Sequence, residues 1–275
     1  MRCGLSSSIK LLIGLGCWLA GSPYSTLAAQ IRLTFQLKDP VITLHQPVVM
    51  LFKAHNASAQ EVVLDLGVAK TEFFHFSLKK PQGTTLENEP PYTEGLHPSG
   101  KVVIPAGGDY QQELVLNEWF QFDATGRYSL GAQLKPPTEV TGIGNINSGV
   151  EYIPFEIEER SPEQLKRICA DLAEQVKLAP NAEGAREPAL LLSYVQDPIA
   201  VPYLSQLLDA RKLVESAGIS GLERIETVDS VKVLISALSS DYGDTSNLAR
   251  QALRRILSKS PDPAVKQTIL NAGVK

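Results

Sequence analysis

Hydrophobic residues in this chain follow two periods, and the change falls near residue 160. Before it, apolar and polar positions alternate. Ile31, Leu33, Phe35 and Leu37 take every second place in IRLTFQL, and Phe74, Phe76 and Leu78 do so in EFFHFSL, with Phe73, His75 and Ser77 on the other side. A period of two marks a strand with one buried face. Further runs occur in PVVMLFKAHNAS, EVVLDL, KVVI, YQQELVL, WFQF, RYSLGAQL and YIPFEIE, separated by turn residues. No gap is long enough for crossover helices, so the pattern predicts an antiparallel β-sandwich over residues 30–159 rather than a parallel sheet.

After residue 160 the period becomes helical. Ser161 and Pro162 read as an N-cap followed by a first helical residue, and Leu165, Ile168, Cys169, Leu172 and Val176 form one stripe behind them. Three helix pairs are predicted next. The first places Ala189, Leu190, Leu191, Tyr194 and Val195 before a turn at Asp197-Pro198, and Val201, Leu204, Leu207 and Leu208 after it. The second, the clearest, carries Val214, Ala217, Gly221, Leu222 and Ile225, then Val231, Leu234, Ile235 and Leu238, with Asp229 expected to cap its second helix. The third uses Leu248, Ala249, Ala252, Leu253, Ile256 and Leu257, then Val265, Ile269 and Leu270, with Asp262-Pro263 at the turn. Pro202 is expected one turn inside its helix, where it bends it. Gly218 and Gly221 either let neighbouring helices approach closely or, at Gly218, break the helix. One pair alone has nowhere to bury its stripe, so the unit predicts a stack.

The phrases DPIAVPYLSQLL and LARQALRRIL, recurring with the helix-pair pattern about every 30 to 35 residues, resemble HEAT repeats of the short bacterial, phycobilisome-lyase type. In Leu114–Leu130, Gly126 gives a turn and Tyr128 opens the next strand, which resembles the tyrosine corner of immunoglobulin-like sandwiches, where a phenol bonds back to nearby backbone. Leu130 stands where an antibody domain has its second cysteine, so the resemblance implies an Ig-like architecture and not that lineage. PAGGDY, LNEWF and GRY also resemble the accessory or inhibitor-type sandwich modules of bacterial secreted proteins. The implied fold class is multidomain β plus α: an N-terminal antiparallel Ig-like β-sandwich followed by a short α-helical HEAT-like solenoid over residues 160–275.

Residues 1–29 read as a signal peptide, with Arg2 and Lys10 giving the positive n-region, Leu11–Ala20 the apolar run, and small residues following near Ala28 and Ala29. The apolar run is shorter than the roughly 20 residues a spanning helix needs. A periplasmic or secreted product with no membrane span after signal cleavage is expected. Cys3 and Cys17 fall within that segment, which leaves Cys169 without a disulfide partner, and its helix stripe makes it apolar filler. The net charge of -4 argues against nucleic acid as a partner.

No nucleophile elbow, phosphate loop or paired-histidine spacing occurs in a fitting context, so a non-enzyme without catalytic residues, cofactor or metal is expected. The loop KKPQGTTLENEPPYTEGLHPSGK holds Glu87, Glu89, Glu94 and His97 but lacks the ligand spacing of a calcium loop, and a solvated acidic loop accounts for it. Asn56-Ala57-Ser58 matches a glycosylation acceptor by pattern only. Candidate partner contacts are Trp119, which on a strand must face away from Phe120, Tyr92 and His97 in the loop, and Arg250 and Arg254 in a basic cluster. These features are consistent with an exported, non-catalytic binding or scaffold protein that uses its helical-repeat surface and its sandwich to hold a protein or peptide. The alternative is an inhibitor of a secreted peptidase, acting through the loop around Tyr92 and His97.

Overall fold

The computed structural model describes residues 30–66, 73–87, 100–135, 138–141, 144–146, 148–209, 213–241 and 244–274; the leader expected over 1–29 lies outside them. Among these residues the alternating half forms twelve strands: β1 Ile31–Leu37, β2 Val41–Thr43, β3 Val49–Asn56, β4 Val62–Asp65, β5 Phe74–Lys79, β6 Thr85–Glu87, β7 Lys101–Ile104, β8 Asp109–Val115, β9 Gly126–Leu134, β10 Thr138–Thr141, β11 Gly144–Ile146 and β12 Glu151–Glu158. The helical half forms α1 Pro162–Leu178, α2 Ala182–Ser193, α3 Val201–Leu208, α4 Glu215–Ile225, α5 Val228–Ser236, α6 Thr245–Lys259 and α7 Pro263–Asn271. The chain is thus mixed in class, with its sheets before its helices.

The strands lie in three sheets ordered β1-β3-β8, β2-β12-β9-β5-β6 and β11-β10-β4-β7. Their pairings are antiparallel apart from β2 with β12, which is parallel. The aromatic positions set by the alternation meet between the first two sheets: Phe52 of β3 stands edge-on to Phe74 of β5 with ring centres 5.1 Å apart, and Phe35 of β1 reaches the same ring at 6.3 Å. Phe74, Phe76 and Leu78 are fully buried on their shared face. Glycine at 126 takes φ 122°, a conformation open to glycine, and the chain turns there into β9. Two residues on, the Tyr128 hydroxyl donates to the Ala124 carbonyl at 2.8 Å, the back-bond its position suggests.

One strand expectation is corrected. WFQF is not a strand, because the chain leaves β8 through a 3-10 turn at Leu116–Glu118. Leu116 N–H donates to the Val48 carbonyl at 2.8 Å while Asn117 Oδ1 accepts from Val48 N–H at 2.7 Å, which ends the ladder there. Trp119 and Phe120 therefore escape the strand rule and are both buried, with Trp119 edge-on to Phe76 at 5.0 Å. Trp119 is core and not an outward partner contact. The Asn56 amide is buried too: Nδ2 donates to the carbonyls of Gln60, Ile104 and Pro105 at 2.8 to 3.0 Å. Its role is to satisfy carbonyls at a turn between strands, which occupies the nitrogen a glycan would need.

In the helical half, Ser161 caps α1, Asp197 caps a 3-10 turn at Pro198–Ala200, and Asp262 caps α7. Two local expectations change. Thr227, not Asp229, caps α5: its hydroxyl accepts from Ser230 N–H while Ser230 Oγ accepts from Thr227 N–H, a reciprocal box. Asp229 lies in the first turn and pairs with Lys232 at 3.1 Å. Pro202 lies in the first turn of α3, because the preceding 3-10 turn absorbs the change of direction, so its missing N–H leaves no gap in the helix ladder. Pro188 does sit inside α2.

Gly218 and Gly221 bring α4 against its neighbours. A Cβ at Gly221 would stand 2.6 Å from Leu204 Cδ2 and 3.0 Å from Ser193 Cα, and one at Gly218 would stand 3.0 Å from the Leu204 carbonyl oxygen. Two cores result, one among the strands and one among the helices, and the second includes Val49 of β3 and Val115 of β8. Gly221→Ala should therefore destabilise the protein. Overpacking against a backbone atom costs about 1–3 kcal/mol, more than the roughly 1 kcal/mol of helix propensity that alanine brings. Urea unfolding should show a lower midpoint, and an unchanged or higher one would refute the close-packing account.

Candidate functional site

The junction between the two halves is built on a buried carboxylate. Asp197 follows α2, and its residue surface is fully buried. A carboxylate taken from water needs compensation for lost hydration. Here Arg160 supplies it bidentately, Nη2 to Oδ1 at 3.0 Å and Nε to Oδ2, and Ile199 N–H donates to Oδ1 at 3.0 Å. Burial by itself raises the Asp197 pKa. The Arg160 hydrogen bond, the Ile199 N–H and the charges of Arg160 and His45 lower it by more, so the carboxyl lies below its ordinary value.

The sheet half reaches the same point through a turn. His45 sits at φ 77°, and Gln196 N–H donates to its carbonyl at 3.2 Å while its Nδ1 contacts the Gln196 carbonyl. A carbonyl only accepts, so Nδ1 carries the hydrogen. Beside it, Thr43 Oγ1 donates to the Glu159 carbonyl at 2.9 Å and accepts from Ser161 N–H at 2.7 Å, and Gln164 Nε2 donates to Gln46 Oε1 at 3.2 Å. Strand end, linker and α1 are tied together by side chains far apart in sequence.

This junction holds α2 beside β8 and α4. Along α2 the stripe Ala185, Ala189 and Leu192 is buried, while Glu183, Arg186 and Glu187 are exposed and Leu190 is half-buried. That outer face separates two hollows. One, of about 420 Å³, lies against α4 and is lined by Arg186, Leu190, Leu213, Ala217, Ser220 and Arg224 among others. The second, of about 480 Å³, lies against β8 and is lined by Gln111, Gln112, Glu113, Val115, Glu183, Arg186, Glu187 and Leu190. Arg224 is held in place: its guanidinium carbon lies 4.1 Å over the Tyr194 ring, and Nη1 donates to the Ser193 carbonyl at 3.2 Å. A cation over an aromatic face is attracted by the ring quadrupole. Burial raises the Tyr194 pKa, with Arg224 acting against it, so the phenol stays neutral. Exposed Leu213, half-buried Leu190 and two arginines give the surface apolar, cationic and hydrogen-bonding contacts together.

The other sequence candidates fall elsewhere. Tyr92 and His97 lie outside the described residues, as do Glu89 and Glu94. Arg250 and Arg254 line a hollow of about 320 Å³ on α6 with Asp244, Asn247, Leu248 and Gln251, while Arg255 crosses to Glu223 of α4 with bonds of 2.6 and 2.7 Å. Cys169 is buried and its thiol is pushed up to about 12 by burial, with the Asp197 charge adding to the shift, so it is not a nucleophile at neutral pH. Among the described residues no group of three or more His, Cys, Asp or Glu side chains stands together as metal ligands, and no helix is long and apolar enough to cross a membrane. Arg186 and Arg224 were not singled out by sequence, because each is one polar residue on a polar helix face.

No protein-family model and no curated protein matches the chain. Solved structures with local likeness include the Northeast Structural Genomics Consortium target SoR45, at 13% identity over 46% of this chain and 87% of that one, with a TM-score of 0.30. A β-glucosidase from Listeria innocua shares 12% identity over 47% of this chain and 16% of its own, with a TM-score of 0.27. The Pseudomonas fluorescens alkylpurine DNA glycosylase AlkC shares 10% over 48% and 31%, with a TM-score of 0.25. The chain thus spans under a third of the length of either enzyme. The expectation that this chain is not an enzyme is corrected by these findings, since enzymes stand among its structural neighbours. At such TM-scores they carry no particular activity over to it.

The lowered Asp197 pKa fixes a direction for acid sensitivity. Its stabilising effect is complete above the unfolded carboxyl pKa of about 3.9 and is lost as pH falls through the lower folded value. Denaturant midpoints should fall as pH drops below about 4, and Asp197→Asn should flatten that dependence. An equally steep fall in the variant would remove Asp197 from the acid response.

Proposed function

We propose that this is an exported binding or scaffold protein that holds a protein or peptide segment along the outer face of α2. The observation that carries this reading is the pair of adjoining hollows on either side of that helix, sharing Glu183, Arg186 and Leu190. A surface that combines apolar side chains, a ring-backed arginine and carboxylates in a concave setting has the mixed character of peptide grooves. We read the strands over residues 30–159 as an Ig-like sandwich, with the Tyr128 back-bond and the parallel β2–β12 pair in support. The helices over residues 160–275 we read as a short HEAT-like stack, supported by successive helix pairs and by the close seat of α4 on α3 at Gly218 and Gly221. Stacks of this kind bind partners along extended surfaces. No observation among the described residues favours the peptidase-inhibitor alternative.

Arg186→Glu and Leu190→Asp test the reading, since both side chains reach the hollows and neither is part of the buried stripe. Partners captured from the native envelope or medium by the wild-type chain should bind each variant about tenfold or more weakly. Arg250→Glu, on α6, should leave capture unchanged. Equal capture by all four proteins would end the proposal.

A further inference from the structure

The hollow between α2 and α4 is lined by an arginine whose orientation is fixed while one edge of its guanidinium is left unused. Nη1 of Arg224 donates to the Ser193 carbonyl at 3.2 Å and lies 3.4 Å from Ser193 Oγ, and the guanidinium rests over the Tyr194 ring. The other two nitrogens, Nε and Nη2, form an edge that matches the two oxygens of a carboxylate. This chain makes that match twice. Arg160 grips Asp197 with Nε and Nη2, and Arg255 grips Glu223 with the same two nitrogens at 2.6 and 2.7 Å. Among the described residues, Nε and Nη2 of Arg224 meet no acceptor.

The surrounding charges leave that edge cationic. Glu223, next to Arg224 on α4, turns to Arg255. Glu118, whose charge reaches Tyr194, lines neither hollow. Among the described residues Glu183 is the one carboxylate lining the hollow, and Arg186, one turn on along α2, offsets it. The excess charge of the hollow therefore lies with Arg224. The rest of its surroundings are neutral: Ser220 stands one turn before Arg224 on α4, and Leu190 and Leu213 add apolar surface. Leu213 is 76% exposed and holds φ 56°, a region where residues with a Cβ are uncommon. A ring-backed guanidinium with an open edge, set in the same hollow as an exposed leucine, fits a group that carries negative charge at one point and apolar surface beside it.

We propose that this hollow receives a carboxylate of the bound segment, held bidentately by Nε and Nη2 of Arg224, with a neighbouring apolar side chain of the segment against Leu190 and Leu213. This rests on the peptide-binding reading above and adds to it the anionic chemistry of the occupant. It agrees with the loss expected for Arg186→Glu, which places a second carboxylate in the same hollow. The carboxylate is supplied by an acidic side chain or by the C-terminus of the segment, and the test separates the two.

Peptide titrations followed by NMR on the full chain test it, with the amides of Ser216, Ala217 and Ser220 as reporters. The probes are three pentapeptides. The first is end-blocked and carries leucine, glutamate and leucine between two serines. The second replaces its glutamate by glutamine. The third is the glutamine peptide with a free C-terminus. At least one carboxylate peptide should bind about tenfold more tightly than the blocked glutamine peptide. A preference for the first assigns the site to an acidic side chain, and a preference for the third assigns it to a C-terminus. Arg224→Gln should abolish the preference. Arg224→Lys, which keeps the charge without the bidentate edge, should retain only part of it. Equal binding of all three peptides by the wild type would overturn the proposal whatever the variants do. So would a preference that survives in Arg224→Gln, or the absence of binding by any of the three. Captured partners lost by Arg186→Glu but kept by Arg224→Gln would sink the carboxylate grip and leave groove binding along α2 standing.

Discussion

A carboxylate without water needs a partner, and much of the arrangement at the centre of this molecule follows from how Asp197 finds one. It accepts the Arg160 guanidinium from the linker that leaves β12 and caps the turn that starts the α3 segment, and the turn holding His45 locks onto Gln196 beside it. Breaking one arm of such an arrangement leaves a buried charge uncompensated. The strands and the helices are therefore held at one fixed mutual position. That position places α2 between β8 and α4, and so creates the hollows on both sides of it.

A second constraint acts on the sheet side. β7 pairs with β4, so among the described residues β8 has a neighbouring strand on one side only. Val115 at its end enters the helical core together with Val49, which anchors the strand to the helices at that point. Farther along, at Gln111 and Glu113, strand and helix diverge and leave polar walls. Apolar contact at one end and polar walls beyond it leave the hollow between the strand and α2. On the far side of α2, glycine at 218 and 221 lets α4 come close to the preceding helices, while Arg224 is steadied on Tyr194.

Where the sequence reading missed, a local rule met a competing contact. Trp119 and Phe120 follow strand logic only while the strand continues, and the bonds of Leu116 and Asn117 to Val48 stop it. Asp229 is a sound cap by residue type, but Thr227 and Ser230 satisfy each other's backbone and leave Asp229 to Lys232. Pro202 looks like a kink when the helix is taken to start at Asp197-Pro198, and ceases to be one once a 3-10 turn stands in front of α3. The glycines needed a packing partner to explain them, and Leu204 and Ser193 provide it.

Periodicity by itself determined the two classes of element, their order, the change at Ser161 and most of the buried stripes, because burial of one face repeats with the geometry of the local backbone. Caps at Ser161, Asp197 and Asp262 were equally legible, since a capping side chain acts on the next few N–H groups. Only the tertiary structure decided that His45 would meet Gln196, 151 residues on, and that Asp197 would bind Arg160. It alone set β8, the last described strand of its sheet, beside α2. Contacts of that kind join residues distant along the chain, where no spacing rule links one partner to the other, and they come into being only when separately folded layers are brought face to face.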